Sequence, residues 1–101
     1  MDTTSLISEA KARFNHNSAK AYLKDKYDSK FIVADQSGLW RANLETINFL
    51  NSSIEEWIII IDTFDNPVRV NRINLLEKLN ETYSKVMNAW HEEWLQLEKK
   101  R

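Results

Sequence analysis

From Leu75 to Leu97, large apolar side chains return in steps of 4, 4, 3, 4, 4 and 3: Leu75, Leu79, Tyr83, Val86, Trp90, Trp94 and Leu97. That spacing lays all seven on one face of an α-helix. Leu75, Val86 and Leu97 recur every 11 residues, which keeps the stripe nearly parallel to the helix axis, and Leu76 and Met87 widen it. The pattern predicts a helix over roughly Arg72 to Lys99, about 40 Å long, which exceeds the diameter of a compact domain of this chain length. Its C-terminal half is therefore expected to overhang, with Trp90, Trp94 and Leu97 in need of cover. The N-terminal helix, a second copy of the chain or another protein could each supply it.

Upstream, one layout occurs twice. Phe31-Ile32-Val33-Ala34 is a β-prone run, followed by Asp35-Gln36-Ser37-Gly38 and then Leu39 to Ala42; Gly38 offers the positive φ of a hairpin loop. Asn43 stands at an N-cap position before a short helix carrying Ile47, Phe49 and Leu50 and ending near Asn51-Ser52-Ser53. Ile58 to Ile61, the loop Asp62 to Pro67, the strand Val68 to Val70 and the cap Asn71 repeat that order. Aligned, Phe31–Asp35 matches Ile58–Asp62, and Trp40–Asn43 matches Val68–Asn71. Solenoids need at least three repeats, so two hairpin-helix units sharing a small antiparallel sheet of four short strands are expected. Chance likeness between short strand-turn-helix segments is the competing explanation.

Before the first unit, Leu6, Ile7, Ala10, Phe14, Ala21, Tyr22 and Leu23 recur mainly at helical spacing, predicting a helix from about Thr4 to Tyr27 with Asp2, Thr3 or Thr4 as cap. Asn15-His16-Asn17-Ser18 is a candidate break, because these side chains compete for the backbone. The expected fold is thus α+β in a single domain, 1–101. A helical segment covers 1–30, the first ββα unit 31–53, and the second, with the extended C-terminal helix, 54–101.

Composition narrows the function classes. The chain has no Cys, which removes disulfides and thiolate chemistry and suits a reducing compartment. Asp2 stands where a signal peptide would carry basic residues, and the longest apolar run, Trp57 to Ile61, is far short of a membrane span. A cytoplasmic protein without membrane contact is expected. The net charge of -1 from 14 basic and 15 acidic residues provides no global attraction for nucleic acid.

No catalytic constellation emerges. His91-Glu92-Glu93 resembles part of a zinc-protease helix, but that motif needs a second His at position 95, which is Leu. His16 reads as a surface residue. Asp35, Asp62 and Asp65 could gather at the hairpin ends as a carboxylate site, but Asp is also a preferred turn residue. One Gly and two His cannot build a phosphate loop or a Ser/His/Asp arrangement. No enzyme activity, cofactor or metal is expected.

Four Trp in 101 residues favour binding, since Trp is enriched among interface anchors. The leading expectation is a protein-binding surface made of Trp90, Trp94 and Leu97, extended by Tyr83 and Met87, which would serve a partner or self-association through the C-terminal helix. The alternative is nucleic-acid binding by Arg41 and Arg69, at matched repeat positions, with Lys20 and Lys24. The stretches Leu39–Glu45, Asp62–Arg72 and Trp90–Trp94 together resemble small uncharacterised accessory proteins of large tailed bacteriophages. That resemblance carries no site residues; it implies an accessory factor in the host cytoplasm acting on host or virion machinery.

Overall fold

The computed structural model describes residues 3–100. Helix α1 (Thr3–Asp28) leads through one 3₁₀ turn (Ser29–Phe31) into strands β1 (Ile32–Asp35) and β2 (Gly38–Arg41). Helix α2 (Leu44–Ser52), strands β3 (Trp57–Ile61) and β4 (Pro67–Asn71), and helix α3 (Arg72–Lys99) complete the order expected from the repeat. The side chains that could cap α1, at Asp2, Thr3 and Thr4, lie outside the described residues.

Both repeat asparagines cap their helices. Asn43 Oδ1 accepts from Thr46 N at 2.9 Å, and Asn71 Oδ1 accepts from Asn74 N at 3.1 Å, so each unit passes from strand to helix through the same device. The expected small sheet is divided in two: β1 pairs with β2 and β3 with β4, both antiparallel, in separate two-stranded sheets. The hairpins meet where Thr63 N donates to Leu39 O at 2.9 Å and Leu39 N donates to Asp62 Oδ2 at 3.2 Å. Gln36 adds a second clip, accepting from Asn71 N at 2.7 Å and donating to Asn71 O at 3.2 Å.

The first hairpin corrects the role expected of Gly38. Positive φ falls on Gln36 (48°) and Ser37 (65°), not on the glycine, a two-residue connection of the kind whose twist suits a hairpin. Gly38 is required for space. A Cβ there would lie 2.7 Å from Trp40 Cε2 and closer still to Cζ2. The indole folds back over Gly38, two residues earlier on the same strand face, and Nε1 donates to Asp35 O at 2.7 Å.

Helix α1 is continuous through Asn15–Ser18, correcting the expected break. His16 is half-buried with Nε2 3.3 Å from Glu98 Oε1 of α3. Packing against α3 thus overrides the modest propensity deficit of these residues. The overhang also falls elsewhere than expected. Helix α1 runs antiparallel to the second half of α3, pairing Lys26 with Glu93 and His16 with Glu98, so α3 ends beside the middle of α1. It is α1 that projects: residues from Ser5 to Asn15 are exposed, including Leu6, Ile7 and Phe14. The radius of gyration is accordingly 19.4 Å, against about 13 Å for a compact domain of 100 residues.

The core gathers between α1, α2, α3 and the inner faces of the hairpins. Leu50, Val70, Leu75 and Leu79 are fully enclosed, and Trp40 is buried with them. Among the described residues no helix is long and apolar enough to cross a membrane.

Candidate protein-binding site

The aromatic stripe of α3 meets α1 first. Trp90 stacks on Tyr27 (centroids 6.1 Å apart, planes 8° apart) and meets Phe31 edge-on at 6.4 Å, while Tyr83 lies 6.0 Å from Phe31. Tyr83, Met87, Trp90 and Leu97 are partly buried against the core. Of the five residues expected to form a binding surface, Trp94 is the one left exposed. The N-terminal helix therefore supplies much of the cover that Trp90 and Leu97 demanded.

That cover is fixed by a polar cluster on one side of the helix pair. Glu93 takes hydrogen bonds from Lys26 and Tyr27, which hold its carboxyl below the ordinary value. The same carboxylate raises Lys26 and Tyr27 above theirs. Lys30 Nζ lies 4.8 Å from the Tyr27 ring centroid, adding a cation-π contact to the same cluster.

On the other side the helices leave a groove of about 440 Å³. Leu23, which is buried, and Met87 and Trp90, which are half-buried, line it together with the exposed Ala21, Trp94, Lys20, Lys24 and His91. His91 stacks on Trp94 at 5.7 Å and 18°, presenting a flat ring pair at the mouth. Lys20 and Lys24, singled out in the sequence for nucleic acid, thus share one groove with Met87, Trp90 and Trp94. What hid this grouping is the α1–α3 pairing, which joins residues some 70 positions apart.

The two arginines sit elsewhere. Arg41 Nη1 pairs with Asp28 Oδ1 at 3.1 Å. The Arg69 guanidinium lies 4.9 Å from the Trp57 ring centroid on the second hairpin. Trp40 is a core residue and Trp57 a surface one, a distinction the strand sequences leave open.

Asp62 is a structural clip. Its Oδ1 accepts from Phe64 N (2.9 Å) and Asn66 N (3.0 Å), and its Oδ2 from Leu39 N. These amides, that of Asn66 foremost, hold the carboxyl below its ordinary value. Asp65 occupies the turn with φ 62°. Among the described residues no three of His, Asp and Glu converge in a metal-binding group.

No protein-family model matches the chain, and neither a curated protein nor a solved structure matches it.

Proposed function

We propose that this chain is a non-enzymatic binding module that receives an amphipathic, acidic helix of a partner protein in the groove between α1 and α3. The supporting observation is the groove itself, an apolar floor open to solvent beside the exposed Trp94 and bordered by Lys20 and Lys24. Helix-in-groove recognition needs an apolar trough for anchors at i, i+3/i+4 and i+7. The lysines complement carboxylates flanking those anchors and favour the encounter. Burying the remaining surface of Trp94 against a partner side chain would make it the anchor. Following the phage resemblance, the partner would belong to host or virion machinery.

A second reading, single-stranded nucleic acid, draws on the Arg69–Trp57 stack and the His91–Trp94 ring pair, because bases stack on such platforms. Capture of partners from a host lysate, with and without nuclease, separates the two. A protein retained after nuclease by wild type, and lost by Trp94→Asp with unchanged circular dichroism, supports the groove. Recovery that vanishes with nuclease, with affinity falling steeply as salt rises, supports nucleic acid.

A further inference from the structure

The second hairpin has two faces of similar chemistry and different fates. Register places Ile58, Ile60, Val68 and Val70 on one face, where Val70 is buried and the others pack partly against the core. The opposite face carries Trp57, Ile59 and Ile61 from β3, with Pro67 and Arg69 across from Ile61 and Ile59. These β3 side chains are 46%, 69% and 67% exposed, and Phe49 of α2, which shares a cleft with Ile59 and Ile61, is 53% exposed. Arg69 is the one charge among the strand residues of this face, while Arg41, Glu45 and Asp62 line the cleft beside Phe49. Arg69 lies against Trp57, combining two residue types enriched in interfaces.

We infer that this face is a homodimer contact in which the β3–β4 hairpins of two copies stack face to face. Area is the first argument. If each of the four large side chains offers on the order of 200 Å² when fully exposed, their open fractions amount to roughly 470 Å² of apolar surface per protomer. An interface of ordinary size buries about 800 Å² per partner. Roughly 57–65% of that is apolar, or about 450–520 Å². Wholly covered, the four side chains therefore supply the apolar share of an ordinary interface.

Shape and charge are the second argument. Two such strand faces pack at about 10 Å separation with their side chains interleaved, and a two-fold axis near Ile59 sets isoleucine against isoleucine. With Arg69 on the strands and Arg41, Glu45 and Asp62 in the cleft beside Phe49, two basic groups stand against two acidic ones, so the face does not repel a second copy of itself. Its residues also lie outside the α1–α3 groove, so the dimer would hold two grooves at once.

Sedimentation equilibrium up to about 200 µM tests this, because interfaces of this area usually hold at micromolar concentration or tighter. Wild type is expected at twice the 12.0 kDa chain mass. Ile59→Lys, with an unchanged far-ultraviolet spectrum, is expected to weaken association at least tenfold, whereas Ile59→Val and Trp94→Asp leave it unaltered. A monomeric wild type overturns the inference. So does an Ile59→Lys variant that dimerises as wild type does, or a dimer lost on Trp94→Asp alone.

Discussion

Replacing Gly38 by Ala sets two effects of opposite sign against each other. Gly38 does not have a positive φ, so alanine there meets no backbone strain. By restricting the unfolded chain it would stabilise by about 0.4–1 kcal/mol if there were room. There is no room: the new methyl would sit 2.7 Å from Trp40 Cε2 and nearer to Cζ2. Overpacking of this kind costs about 1–3 kcal/mol. The indole cannot simply tilt away, because Trp40 is only 2% exposed and Nε1 is tied to Asp35 O; orphaning that donor costs about 1–3 kcal/mol more.

The clash wins, and Gly38→Ala is expected to lose about 2–4 kcal/mol net of the entropic gain. For a domain of this length that corresponds to a melting temperature lower by roughly 10–25 °C. Urea unfolding followed by circular dichroism measures it, with Trp40→Phe as the second arm of a double-mutant cycle. Phenylalanine has no counterpart of Cζ2, the atom struck hardest, so Gly38→Ala should cost less than about 1 kcal/mol in that background. A neutral or stabilised Gly38→Ala would refute the reasoning, as would a cost undiminished by Trp40→Phe.

Other expectations follow from the same geometry. Asn71→Ala removes the cap of α3 and should destabilise by about 1 kcal/mol, read as a lower urea midpoint; Asn71→Ser should recover most of it. Ser37→Gly relieves the left-handed conformation at φ 65° and is expected to gain up to about 1 kcal/mol, seen as a higher melting temperature. Asp62 and Glu93 are both held below their ordinary values in the folded chain. Their contribution is therefore present above the unfolded carboxylate range and lost as pH falls through the folded values. Urea midpoints should drop on acidification below about pH 4, and Asp62→Asn should show a shallower drop from a lower starting point.

What could be read from the residues alone was whatever local spacing determines. The α3 stripe, the two strand-turn-helix units and both Asn caps follow from side-chain periodicity and short-range hydrogen bonding, and they stand where expected. What depended on long-range packing was not readable. Trp57-Ile58-Ile59-Ile60-Ile61 is apolar on both faces, so alternation could not tell that Ile58 and Ile60 turn inward and Trp57 outward. The run Asn15–Ser18 resembles a breaker until α3 is placed beside it. Gly38 looked like turn chemistry because the indole that occupies the space above it belongs to a later residue. At the groove, Trp94 was identifiable as a candidate aromatic anchor. The partnership of Lys20 and Lys24 with it required the antiparallel register of α1 on α3.

A titration with a synthetic amphipathic helix of about five turns, leucine-striped and glutamate-flanked, against its lysine-flanked twin addresses the groove most directly. The four Trp indole N–H resonances report where each peptide binds. The expected result is that the acidic peptide shifts the Trp94 and Trp90 signals and leaves that of buried Trp40 in place, that Trp94→Asp abolishes binding, and that the basic twin binds at least tenfold more weakly. Equal binding of both peptides, or shifts confined to Trp57, would contradict a lysine-rimmed helix site between α1 and α3.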